Sequence, residues 1–203
     1  MIAIIDYNIG NITAVANMLQ RLNVPCKITS KIDDVEQADK IILPGNGSFD
    51  ACMNNLHSSG LVPTLEQKVI NGDTPLLGIC VGAQMLGSMS EEGSKPGLGW
   101  IDMKVLKFPA MAGLPVPHMG WNQVKIAGHK NYLTQDMEPD SRFYFVHSYY
   151  MAPADPENIL LNTDYGINFV SGVSKCNIFG VQFHPEKSHR FGKQLLSNFA
   201  KGG

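Results

Sequence analysis

Gly78-Ile79-Cys80-Val81-Gly82-Ala83-Gln84 is the stretch that decides the fold. It follows the apolar pair Leu76-Leu77 and leads into a helix expected to begin near Val81. Strand, tight turn and helix succeed one another, with a thiol at the apex. That is the shape of a nucleophile elbow, with Cys where a G-x-S-x-G hydrolase has Ser. Gly78 and Gly82 lack a Cβ, so strand and helix can close around the turn. The positive end of a helix dipole favours a thiolate there. A buried core cysteine, the usual fate of a free thiol, is the competing explanation.

A second stretch weighs against that competitor. Phe179-Gly180-Val181-Gln182-Phe183-His184-Pro185-Glu186-Lys187-Ser188 stands near the C-terminus. Val181 and Phe183 alternate with polar Gln182, as in a strand. Pro185 cannot continue a ladder, so His184 falls just past the strand end. Glu186, two residues on, can orient the imidazole. A thiol nucleophile needs a base, and the base needs a third group to hold it; Cys80, His184 and Glu186 supply the three roles. Alone, His184-Pro185-Glu186 would pass for helix-start chemistry on a surface.

The chain around these motifs alternates between strand and helix patterns. Ile2-Ile5, Cys26-Ile28, Lys40-Leu43 and Leu76-Ile79 read as strands, and 11–22, 49–56 and 61–70 as helices. This order predicts an α/β fold, with a mixed, mostly parallel central sheet flanked by helices. From Val105 to Val181 the runs are short and turn-rich. Arg142-Val146, Ile159-Leu161, Phe169-Val173 and Ile178-Val181 are expected strands, some antiparallel. A closing helix spans about 188–200, with Phe191, Leu195 and Phe199 on its inner face. Residues 1–203 read as a single domain.

Pro44-Gly45-Asn46-Gly47 is expected to end its strand in a sharp turn beside the Cys80 strand. Its backbone N–H groups, with that of Val81, can form an oxyanion hole. A plain Asn-Gly turn without a ligand is the alternative. The absence of a following Gly-Lys-Ser/Thr argues against a phosphate-binding P-loop.

Composition narrows the class. Of 203 residues, 44% are apolar and 17% charged, values of a globular chain. The net charge of −2 and the lack of a basic cluster give nucleic acid or a membrane surface no foothold. Cys26, Cys52, Cys80 and Cys176 are irregularly spaced, which predicts neither a zinc site nor a disulfide framework. No run approaches the ~20 apolar residues of a membrane span, and the start lacks a basic leader. A soluble protein of a reducing cytoplasm is expected. His57, His129 and His189 look isolated and exposed. His118 and His147 suit structural or interface roles better than metal ligation. Neither metal nor cofactor is implied.

The two motifs together resemble the class I, triad-type glutamine amidotransferases, and the resemblance runs from Asp6 to the closing helix. Pro117-His118-Met119-Gly120-Trp121-Asn122 and Tyr144-Phe145-Val146-His147-Ser148-Tyr149 are similar to the glutaminase subunits of imidazole glycerol phosphate synthases. So are Gly97-Leu98-Gly99-Trp100 and Lys187-Ser188. The resemblance implies hydrolysis of glutamine to glutamate and ammonia. Cys80 would be the nucleophile, His184 the base and Glu186 its orienting partner. Gln84, Ser148 and Tyr149 would hold the amino-acid end of the substrate. Gly45, Asn46, Gly47 and Val81 would supply the oxyanion site, with its turn aimed away at rest. Asn11, Trp121, Tyr144 and Lys187 would face a synthase partner, a (β/α)₈-barrel cyclase, in a heterodimer of the histidine pathway.

The chain departs from the family pattern at Asp6-Tyr7-Asn8, where Asp-Tyr-Gly is usual, at Asn46, usually apolar, and at Gly47-Ser48-Phe49. These positions avoid the triad and leave alternatives open. One is a paralogous subunit serving a cyclase-like partner in modified-sugar synthesis. Others are a free-standing cysteine γ-glutamyl hydrolase and a non-catalytic regulatory subunit.

Overall fold

The computed structural model describes residues 1–9, 12–110, 114–128 and 131–202. Asn11 and His129 lie outside them. The first part runs β1 (Ile2–Ile5), α1 (Ile12–Arg21), β2 (Cys26–Thr29), α2 (Ile32–Glu36), β3 (Lys40–Gly45), α3 (Phe49–Ser58), α4 (Val62–Val69), β4 (Leu76–Cys80) and α5 (Val81–Gln84). Next come β5 (Met89–Ser90), β6 (Met103–Lys107), β7 (His118–Gln123), β8 (Lys125–Ile126), β9 (Arg142–His147) and β10 (Tyr149–Pro153). The chain closes with β11 (Ile159–Tyr165), β12 (Ile167–Lys175), β13 (Ile178–Val181) and α6 (His189–Lys201).

The large sheet runs in the order β2-β1-β3-β4-β13-β12-β10-β6-β5, with β11 on β12 and β8 on β11. Its first five strands are mutually parallel. β1, β4 and β13 are buried at every residue, as strands covered on both faces must be, which is why they read as unbroken apolar runs. Beyond β13 the sheet turns antiparallel through β12, β10 and β6. β7 and β9 form a separate antiparallel pair. Helices flank the sheet: α1 buries Val15, Ala16, Met18 and Leu19, a stripe at helical spacing, and packs with α6.

Three expectations need correction. β3 continues through Pro44 and Gly45 rather than stopping at Leu43, because those residues still pair with Ile79 and Cys80. The helix after Cys80 is a single turn, so any dipole there is that of one turn. The inner face of α6 is Gly192, Leu195, Leu196 and Phe199, with Phe191 only half-buried. The reason is close approach: a Cβ on Gly192 would stand 1.8 Å from the Pro185 carbonyl oxygen, so the helix turns its glycine edge to that loop.

Candidate active site

The C-terminal ends of β3, β4 and β13 meet at one edge, the usual place for ligands in open α/β sheets. Gly45 pairs with Cys80 across β3 and β4. Backbone packs on backbone there. A Cβ on Gly45 would sit 2.0 Å from the Gly82 nitrogen, and one on Gly82 would sit 2.0 Å from the Leu43 carbonyl oxygen. Only glycine fits at either position. Cys80 has φ 56° and ψ −116°, a strained conformation for a residue with a Cβ, costing about 1–3 kcal/mol. The strain lifts the thiol out of the strand line into the turn.

The second arm arrives from β13. The His184 N–H donates to the Tyr144 carbonyl at 2.9 Å. The fully buried Ser188 hydroxyl donates to the His184 carbonyl at 2.6 Å and accepts from the Tyr144 N–H at 3.0 Å. Phe183, just before His184, stacks on Phe143 with centroids 4.0 Å apart, worth about 0.5–1.5 kcal/mol beyond burial. His184 is thus held through its backbone on both sides.

His184 Nδ1 lies 2.8 Å from Glu186 Oε1, with both side chains buried. Nε2 makes no aligned hydrogen bond among the described residues, yet Cys80 is close enough to act on it electrostatically. Burial opposes a charge on this imidazole. Cys80 and then Glu186 outweigh burial, and the pKa rises from 6.5 to about 10. The arrangement favours an imidazolium beside the sulfur.

A cavity of about 270 Å³ opens at Cys80, below the roughly 300–1,000 Å³ of drug-sized sites and suited to an amino acid. Its lining includes Asn46, Gly47, Val81, Gln84, Ser148 and Tyr149, six of the seven residues expected around the substrate. Gly45 lies behind them, against the elbow. A larger hollow of about 490 Å³ opens near Asn71, Trp100 and Asn177, at the N-terminal ends of β4 and β13; its one thiol, Cys176, has no histidine among the lining residues.

Several site residues are not evident from sequence. Gln182, read as the polar member of an alternating strand, is fully buried; it accepts from Gln84 Nε2 at 3.0 Å, and its amide nitrogen lies 3.9 Å from the Cys80 sulfur. Gln84 also donates to the Tyr149 carbonyl at 3.2 Å. Glu92 is the one carboxylate lining the cavity, and its Oε2 accepts from the Phe49 N–H at 2.9 Å. Behind the 44–47 segment, the Tyr7 hydroxyl donates to the Pro44 carbonyl at 2.5 Å and the Cys52 thiol to the Asn46 carbonyl at 3.4 Å. The motif signal existed only for Gln182, inside Gln-Phe-His-Pro-Glu.

Three of the four residues expected at a partner surface, Trp121, Tyr144 and Lys187, gather outside this edge, and the fourth, Asn11, lies outside the described residues. Trp121 and Tyr144 are cross-strand neighbours with centroids 6.2 Å apart. Lys187 Nζ lies 5.5 Å from the Tyr144 ring. His189 is exposed but not isolated, because its ring lies parallel to that of Trp121 at 5.3 Å. Met119 and Trp121, on one face of β7, are 62% and 46% exposed. Among the described residues no group of His, Cys, Asp and Glu side chains stands ready to hold a metal ion, and no helix is long and apolar enough to cross a membrane.

Comparison with known proteins gives a consistent result. The imidazole glycerol phosphate synthase subunit HisH 2 of Pseudomonas aeruginosa is 51% identical over 99% of each chain. The subunit of the same name from Methanococcus maripaludis is 50% identical, again over 99% of each. A solved structure of a glutamine amidotransferase superposes with a TM-score of 0.75 at 18% identity, over 97% of this chain and 96% of that one, a likeness of fold. The family model for glutamine amidotransferase class-I matches residues 3–202, and the chain therefore belongs to that family.

Proposed function

We propose that the protein is the glutaminase subunit of an imidazole glycerol phosphate synthase, carried by one domain over residues 1–203. It hydrolyses glutamine to glutamate and passes ammonia to a cyclase partner in histidine biosynthesis. The observation that carries this reading is the convergence of the Cys80 elbow and the His184–Glu186 pair at one edge of the sheet, in a chain half identical to such subunits.

The geometry suggests how each group would act. The Cys80 sulfur attacks the side-chain amide carbon of glutamine. The developing oxyanion meets the Val81 N–H and the backbone of residues 45–47. The His184 imidazolium, held by Glu186, gives its proton to the departing nitrogen, and ammonia leaves a glutamyl thioester. Neutral His184 then takes a proton from water, which attacks the thioester and frees glutamate and the thiol. Glu92 is placed to pair with the α-ammonium of the substrate, and the Tyr149 segment to bind its α-carboxylate. In our reading the 45–47 turn rests with an N–H aimed away from the sulfur until the partner binds. Trp121, Tyr144 and Lys187 form the docking face for a (β/α)₈-barrel cyclase in a heterodimer, and Asn11 would contact the same partner. The setting is cytoplasmic, without nucleic acid.

A second reading is favoured by one observation: the relatives at 51% and 50% identity both bear the numbered name HisH 2. It keeps the chemistry and changes the recipient, to a cyclase-like partner in modified-sugar synthesis. Mixing the chain with the histidine-pathway cyclase and its phosphoribulosyl ligand, and following glutamate release, tests both. Ligand-dependent release is expected under the first reading. Release only with the other cyclase would move the assignment to the second, and no release with either would overturn the subunit reading.

A further inference from the structure

Two buried histidines between the exposed β7 surface and the cavity have no place in the chemistry above. His118 and His147 face each other across β7 and β9 and are 3% and 6% exposed. His118 Nδ1 is 3.0 Å from His147 Nε2, and His147 Nδ1 is 2.8 Å from the Tyr149 carbonyl oxygen. On the other side, Asn122 Nδ2 is 3.3 Å from His118 Nε2 and donates at 2.9 Å to the Asp164 carbonyl.

These contacts determine where the protons are. A carbonyl only accepts, so His147 Nδ1 carries hydrogen. Burial pushes both imidazoles down, His147 to about 3 and His118 to about 4, so each holds one proton at neutral pH. His147 Nε2 is therefore bare and must accept from His118 Nδ1. His118 Nε2 is then bare as well, and the Asn122 amide nitrogen fills it. Every donor meets an acceptor, in one direction. Exchanging the proton on either ring would leave two lone pairs, or two hydrogens, face to face.

We propose that His118 and His147 are positioning residues, forming a one-way hydrogen-bond relay that holds the Tyr149 carbonyl in place for Gln84. The relay starts on the strand that displays Met119 and Trp121, so a partner that shifts β7 moves the substrate grip through it. Rigid aromatic packing supports the line, for His118 stacks between Phe145 at 4.8 Å and Tyr165 at 3.9 Å. This inference rests on the glutaminase reading only for its consequence, since the relay itself is a property of the folded chain.

The test uses the full chain without partner. Long-range proton–nitrogen NMR assigns the tautomer of each histidine, independently of activity. Both are expected in the Nδ1–H form, the minor tautomer of a free histidine side chain; an Nε2–H form at either overturns the relay. Inactivation of Cys80 by a glutamine-mimicking chloroketone then supplies a binding constant and a maximal rate. His118→Phe keeps the stacked ring but loses the donor; it should weaken binding by about 3- to 10-fold, the worth of one net hydrogen bond, with the maximal rate within about 2-fold. His118→Asn places an amide donor near the position of Nδ1 and should restore most of the binding. Equal weakening in both variants would reduce the pair to packing, and no weakening in His118→Phe would remove its role in the grip. If wild type shows the expected tautomers but no partner-dependent glutaminase activity, the functional reading fails while the relay stands.

Discussion

At the scale of single residues, the account turns on three side chains and their proton. Cys80→Ala or Glu186→Gln should depress the His184 pKa from about 10, because Cys80 and Glu186 are what raise it against burial. A group whose pKa is raised on folding stabilises the protein fully below its unfolded value, here 6.5, and loses that contribution as pH climbs through its folded value. Wild-type stability should therefore decline between pH 6.5 and about 10, and urea midpoints of Glu186→Gln should decline less over that window. His118 and His147 act in the opposite sense. Their pKa values fall on folding, so their contribution is complete above pH 6.5 and is lost as pH drops through about 4 and about 3. His118→Phe should blunt that acid-side loss, again read from urea midpoints. The triad was legible because its residue types sit at fixed spacing in two short motifs. Glu92 was not, since nothing in Ser90-Glu91-Glu92 marks one carboxylate locally, and only the fold carries it to the cavity.

At the scale of elements, the elbow depends on backbone meeting backbone. Gly82→Ala would drive a Cβ to within 2.0 Å of the Leu43 carbonyl oxygen, where no flexible side chain can yield. The expected cost is about 1–3 kcal/mol or more, seen in urea unfolding, together with loss of Cys80 alkylation by a glutamine analogue. The parallel half of the sheet was readable because fully buried strands are continuous apolar runs punctuated by helices at helical period. The antiparallel half was read only in part. β7 carries His118, Gly120, Trp121 and Asn122, a poor strand signature, and is a strand because β9 pairs with it. β10, at Tyr149–Pro153, is likewise made by its pairing with β6, a contact distant in the chain. Gln182 shows the same limit: alternation marked it only as the polar member of a strand, while the fold buries it against Gln84 and the Cys80 sulfur.

At the scale of the molecule, the active edge and the exposed Met119–Trp121 face are two sides of one construction, joined through β9, which bears Tyr144 on one side and His147 on the other. A partner docked on that face would sit a strand's width from the substrate cavity. Trp121→Ala should leave folding and Cys80 alkylation in the free chain intact, yet reduce partner-stimulated glutamate release, measured against cyclase concentration, by about 10-fold or more, as for a buried aromatic anchor. Beneath all of this lies the claim that the sulfur at the elbow is the nucleophile. Glutamate release by the Cys80→Ser chain, assembled with its cyclase and ligand, tests that claim most directly. The account predicts a fall of at least about 10³-fold with assembly unchanged; turnover within a few-fold of wild type would contradict it.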